Sequence, residues 1–216
     1  VKHSNHHADS LHKQKAAEAV CGRREERDSE YRKRILTSAQ SLFEKHGIEE
    51  VTMYQIAKEA GVGQGTLYRR YPHIGEVCSD LLRSGTAEFL DSLDSSLADA
   101  DPQKAALSQL SQIIIRIIDF IDDKAPLLAG IKSMYTDKKR TSIHQKPIYV
   151  RLHSVLETLI NSAVSQGEIQ PIDVTLTVNT ILSSLSPEQY LYHREVLGYS
   201  KQRFTEGICR LFVKGL

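Results

Sequence analysis

The stretch from Phe43 to Tyr71, FEKHGIEEVTMYQIAKEAGVGQGTLYRRY, constrains this chain more than any other, because it fixes where two short helices start and stop. Thr52 can cap a helix through its hydroxyl, Gln55 closes a T-x-x-Q capping box, and Val51 can staple onto Ile56. Ile56, Ala57 and Ala60 then share one face, and Gly61 supplies a left-handed stop. After Gly61-Val62-Gly63 a second helix of about two turns carries Gln64, Thr66, Tyr68, Arg69 and Arg70. Two helices joined by a glycine turn, the second rich in groups that bond bases and phosphates, read as a helix-turn-helix.

The rest of the chain is helical in pattern, with no rival strand signal, so the fold class is all-α. A helix from about Asp28 or Ser29 to His46 carries Ile35, Ala39, Leu42, Phe43 and His46 at helical spacing, and His46 reads as a partly buried structural histidine. After Tyr71, His73 takes the N-cap position of a helix that runs through Leu81, Leu82, Phe89 and Leu93 to about Ala98. Asp101-Pro102 starts the next, whose Leu107, Leu110, Ile113, Ile114, Ile117, Ile118 and Ile121 form a stripe, with Ile115 and Phe120 off it. A helix apolar nearly all round belongs at the centre of its domain. Pro126–Tyr135 reads as a separate short helix and Asp137–Pro147 as a basic, solvated loop. Ile148 to Ala163 marks another amphipathic helix, stopped by Gly167. Val174 to Leu185 marks the next, broken at Ser186-Pro187 and resumed toward Leu197, and Phe204, Ile208, Leu211 and Phe212 mark the last, with Ser200 as its cap.

Residues 1–28 are polar and read as a mobile arm. Its His3, His6, His7 and His12 lack an acid or cysteine at structural-site spacing, so no metal is expected, and no cofactor motif occurs elsewhere. The chain carries 28 Lys/Arg against 27 Asp/Glu, yet unevenly: residues 1–75 hold 13 against 10, and the remainder 15 against 17. A basic head on an acidic body suits an anionic partner at one end. Three scattered cysteines, Cys21, Cys78 and Cys209, form no disulfide framework and point to a reducing cytoplasm. The longest apolar run, Ile113–Ile121, is too short and too charged to span a membrane, and no signal peptide is visible.

The pattern F-x3-G-x4-T-x3-I-A-x2-A-G-V-x-x-G-T-L-Y-x-x-Y, with a helix entering ahead of it, resembles the DNA-binding head of the TetR family of bacterial regulators. The end, FTEGICRLFVKGL, is similar to many C-termini of that family. The resemblance implies a helix-turn-helix domain over 29–75 and a helical effector-binding and dimerisation domain over 76–216. It implies double-stranded DNA as partner, with Gln64, Thr66, Arg69 and Tyr54 toward base edges, and Thr52, Tyr68 and the backbone at His73 toward phosphates. Arg70, on the same short helix, joins this set. Arg23, Arg24, Arg27, Arg32 and Lys33 fit either a minor-groove arm or solvated charge. Two positions depart from the family pattern: Gly63 stands where Ser or Thr usually caps the recognition helix, and Ile74 where a phosphate-binding lysine is usual.

A single head reads few base pairs, and the family answer is a homodimer through the last two helices, for which the stripes around Ile181 and Ile208 are the expected surface. The alternative is that those stripes complete the monomer core. The family body holds a small-molecule effector, for which Tyr135, Tyr149, His153 and Asn179 are the candidate polar contacts in an Ile/Leu-rich setting. These features imply a repressor released from a palindromic operator by an effector. A ligand-independent regulator or an activator is the second reading, and an all-α enzyme or interaction protein the third. No G-x-S-x-G, H-E-x-x-H, phosphate loop or cysteine–histidine pair supports an enzyme.

Overall fold

The computed structural model describes residues 5–98, 105–134 and 147–215, which contain helices and no strand. They divide into two compact units between Val77 and Cys78.

The first unit is built on α1 (Asn5–His46), α2 (Met53–Ala60) and α3 (Gln64–Arg70). The helix expected from about Asp28 instead begins at Asn5 and takes in the segment that reads as an arm. Its sequence between Ala8 and Arg27 lacks proline and is rich in Ala, Glu, Lys, Gln and Arg, which favour a helix even where apolar content is thin. Ile35, Leu36, Ala39 and Phe43 bury one face of α1 against α2, with Leu42 half-buried. His46 lies exposed rather than on that face. From α2 and α3, the core receives Met53, Ile56, Ala57, Ala60, Leu67 and Tyr71.

The second unit takes α4 (Ile74–Ala98) from Cys78 onward, α5 (Ala106–Met134), α6 (Pro147–Ser165), α7 (Val174–Ser184), α8 (Pro187–Leu191) and α9 (Lys201–Phe212). A π-helical turn over Tyr192–Val196 follows α8. As its composition demands, α5 is central, packing on α6, α8 and α9 through Leu110, Ile113, Ile114, Ile117, Ile118 and Ile121. It begins at Ala106; the expected start at Asp101-Pro102 lies outside the described residues. A distant carboxylate sets that start: Glu168 accepts hydrogen bonds from the N–H groups of Ala106 (2.5 Å) and Leu107 (3.1 Å), satisfying donors that a helix N-terminus leaves open. The helix also continues through Pro126, where a separate element was expected. One missing N–H costs a single intrahelical bond, and the surrounding sequence keeps the helix going.

The stripes around Ile181 and Ile208 face inward. Val178, Ile181, Leu182, Leu185, Phe204 and Ile208 are buried in the core of this unit, so they complete the protomer. The outer faces of α7 and α9 expose Leu176, Thr180, Ser183, Arg203, Gly207 and Leu211 instead.

Candidate nucleic-acid interface and effector cavity

The expected local chemistry of the helix-turn-helix is present. Thr52 caps α2 by accepting from the N–H of Gln55 (3.3 Å), while the Gln55 side chain accepts from the N–H of Thr52 (2.7 Å). Gly61 adopts the left-handed conformation, φ 61°, and its N–H returns to the carbonyls of Ala57 and Lys58. Gly63 is the N-cap of α3 without a side-chain bond, as a glycine must be.

With Ile56, Ala57, Ala60 and Leu67 turned inward, the opposite surface carries the polar groups. Tyr54 is 58% exposed and Tyr68 48%, large values for aromatic side chains with no core to fill. Gln64 and Arg69 are exposed and Thr66 is half-buried. Arg69 Nε donates to the carbonyl of Gly65 at 3.2 Å, which lays its guanidinium back along α3. A Cβ on Gly65 would meet nothing within 4 Å, so no internal contact requires glycine there. The surface offers donors, acceptors and a cation beside a bare stretch of backbone, which suits close approach to a groove.

Three residues of the expected set also have partners within the first unit. The Thr52 hydroxyl donates to Gln55 Oε1 at 2.8 Å, so its one proton is engaged in the capping box. Arg70 turns toward α1 and pairs with Asp28, whose carboxylate raises the guanidinium pKa further; the side chain is 25% exposed. His73 is half-buried, and its carbonyl accepts from the N–H of Glu76 at 3.0 Å to open α4. Ile74, the departure from the lysine pattern, is half-buried. Among the described residues, no group of three or more His, Cys, Asp or Glu side chains could hold a metal, and no helix is long and apolar enough to cross a membrane. The side chains of His3, His6, His7, His12, Arg23 and Arg24 lie outside the described residues.

Comparison with known proteins agrees with this geometry. Residues 35–76 match the family model for bacterial regulatory proteins, tetR family. A helix-turn-helix-type transcriptional regulator of Staphylococcus aureus (strain bovine RF122 / ET3-1), SAB2452, is 33% identical over 188 residues, covering 85% of this chain and 93% of that relative. The chain belongs to the TetR family. It is a DNA-binding transcriptional regulator. Solved structures share its fold: a TetR/AcrR-family regulator from Thermobifida fusca YX-ER1 aligns with TM-score 0.61 at 18% identity, covering 85% of this chain and 97% of that one. The regulator FadR from Bacillus subtilis, solved in complex with stearoyl-CoA, aligns with TM-score 0.58 at 18% identity over 85% and 98% of the two chains.

In this TetR-family chain the second unit contains a cavity of about 700 Å³ between α4, α5, α6 and the α7–α8 corner. Leu82, Phe89, Leu90, Ile117, Phe120, Ile121, Leu152 and Leu182 make most of its wall. Of the four candidate ligand contacts, Tyr149 lines it. Asn179 does not; its Oδ1 accepts from the Tyr149 hydroxyl at 2.7 Å and so orients that ring from behind. His153 also stays out of the wall, with Nδ1 3.6 Å from Glu157 Oε2 and its ring 6.2 Å from that of Tyr149. Tyr135 lies outside the described residues. Arg83 and Lys124, which the sequence did not single out, both line the cavity. The one available signal was Phe120, an aromatic off the main stripe of α5 and one turn before Lys124.

Proposed function

We propose that this protein is a homodimeric repressor that grips a palindromic duplex with two copies of α3 and is released when a small molecule enters the second unit. The observation that carries the DNA reading is the outward set Tyr54, Gln64, Thr66, Tyr68 and Arg69 on the α2–α3 surface, opposed by a fully apolar inner face. In this reading Gln64 and Arg69 read base edges, and Tyr68 holds a phosphate. Arg70 and Thr52 act at one remove, bracing α3 and capping α2.

The two-fold partner is a second copy of this chain seated on the outer faces of α7 and α9. Leu176 and Leu211 are 63% and 67% exposed there, and Gly207 lies in mid-helix with nothing within 4 Å of a would-be Cβ. A concavity of about 570 Å³ lies between these helices, room for facing side chains. The effector reading rests on the apolar cavity, whose volume falls in the range of small-molecule sites. Its α4 wall begins at Ser79, close in sequence to the recognition helix, which makes α4 the candidate lever. A coupling of about 1–3 kcal/mol between ligand and DNA is typical of such linkage. A DNA partner supports a location in the bacterial cytoplasm. Sedimentation of the full chain with its selected duplex tests the dimer, with two chains per site expected. A reporter behind that site tests the sign, since rising expression on adding the protein would contradict repression.

A further inference from the structure

The α4 and α5 walls of the cavity carry their charged side chains at one end. Side chains of α4 and α5 meet in antiparallel order: Arg116 donates to Ser96 Oγ (2.9 Å) and Ser92 Oγ (2.8 Å), Phe89 stacks on Phe120 with centroids 4.4 Å apart, and Lys124 crosses Gly85. Each step moves about one turn along both helices. Ser79 and Arg83 on α4 therefore share an end of the cavity with Lys124 and Leu128 on α5. Toward the other end these helices contribute Phe89, Leu90, Ile117, Phe120 and Ile121.

Gly85 leaves room for Lys124 to lie across α4. Glycine inside a helix weakens it, and this one lies within α4. A Cβ on Gly85 would lie 2.9 Å from Lys124 Cε and 3.5 Å from Nζ, with no other group beyond its own helix backbone and chain neighbours within 4 Å. The missing methyl is the space the lysine stem occupies. Its side chain is only 20% exposed, against 76% for Arg83 at the rim. Asp123 and Asp80 pair with the two cations, at 2.7 and 3.2 Å, but neither acid lines the cavity, and among the described residues no carboxylate does, so the cavity side keeps the cations. A ligand inside thus meets two cations and an apolar wall.

We propose that the cavity takes an amphipathic anion, its head held by Lys124 with Arg83 at the rim and its apolar part directed toward Leu90 and Ile117. This rests on the reading of the cavity as the effector site. A hydrogen-bonded charge at the head selects anions over neutral and cationic ligands, and the apolar part contributes by burial alone. In a free fatty acid the head is a carboxylate at the end of the chain; in an acyl thioester of a nucleotide carrier a neutral thioester adjoins the chain and the anionic phosphates follow a long arm, so the two differ in which group can reach Lys124.

The test is calorimetric titration of the full chain, below micellar concentrations, with dodecanoate, dodecanol, dodecyltrimethylammonium and dodecanoyl-CoA. Dodecanoate or dodecanoyl-CoA is expected to bind about tenfold or more tighter than dodecanol, with the ammonium weakest, and the tighter anion names the source of the head. Each methylene removed from the tail should weaken binding about fourfold. Lys124→Gln should erase the preference for the anion, with an unchanged circular dichroism spectrum and melting temperature showing that the variant is folded. Equal affinity for dodecanol and both anions, an intact preference in Lys124→Gln, or no binding of any of the four would overturn the assignment. DNA affinity is measured in the same samples. Anion binding without DNA release contradicts the effector reading and keeps the head-group assignment; release by dodecanol and by neither anion does the reverse.

Discussion

Arg34 of α1 donates from Nη2 to the carbonyl of Gly61 at 2.9 Å, and to that of Ala60 at 2.5 Å, so a cation from one helix closes the C-terminal end of another. Those carbonyls carry the negative end of the α2 dipole and have no helical donor of their own. The same guanidinium would lie 2.7 Å from a Cβ at position 61. Gly61→Ala therefore strains a left-handed backbone, by about 1–2 kcal/mol, and displaces the clamp as well. Hydrogen exchange of the α2 amides in the full chain should quicken in Gly61→Ala and in Arg34→Ala. Unchanged protection in both would show that the clamp does not hold the turn.

The two arginines ending α3 should separate by readout. Arg70 pairs with a largely exposed Asp28, so breaking the pair should cost no more than about 1 kcal/mol of stability and leave base preference unaltered. Asp28→Asn and Arg70→Gln, made singly and together, measure that coupling by denaturant unfolding. A changed DNA consensus in Arg70→Gln would return this residue to the reading surface.

The helix-turn-helix was legible because its signals are local. Thr52 with Gln55, and Gly61, settle their own dihedrals and hydrogen bonds within one turn, and each is found as read. What escaped depends on groups far apart in sequence. Glu168 fixes the start of α5 from 62 residues away, and Asp28 pairs with Arg70 across 42. The inward turn of Ile181 and Ile208 follows from the same cause, since periodicity shows that a stripe is buried but not by which neighbour. The Tyr190 hydroxyl, 2.5 Å from Asp122 Oδ1, likewise had no signal in spacing.

Glu168 makes its own prediction. Its carboxylate bonds two N–H groups at the positive end of α5, the central helix of the second unit. Glu168→Ala should destabilise that unit by about 1–2 kcal/mol, as loss of a good N-cap does, and Glu168→Gln by less. Thermal unfolding of the full chain checks the order. Equal melting temperatures for all three proteins would contradict it.

Cys78 is fully buried, and burial pushes its thiol up to about 11. The folded protein thus keeps the proton after the unfolded chain, near 9, has released it. Stability from this site is complete below about pH 9 and falls as pH rises toward about 11, because in that window the unfolded state holds fewer protons. The difference in unfolding free energy between the native chain and Cys78→Ala should therefore shrink across that range. A thiol reagent at neutral pH should label the half-buried Cys209 well before Cys78. Fast labelling of Cys78 would contradict its closed environment.

The central claim is that two copies of the α2–α3 surface read a symmetric duplex, and selection of bound DNA from a random pool tests it most directly. The full chain should enrich an inverted repeat whose half-sites lie about one helical turn apart or a simple multiple of it. Gln64→Ala and Arg69→Ala should each relax preference at matching positions of both half-sites, by about 1–3 kcal/mol per half-site. Tyr68→Phe should weaken all sequences alike, because it removes a phosphate bond. A consensus without two-fold symmetry, or one that Gln64→Ala and Arg69→Ala leave unaltered, would contradict the account.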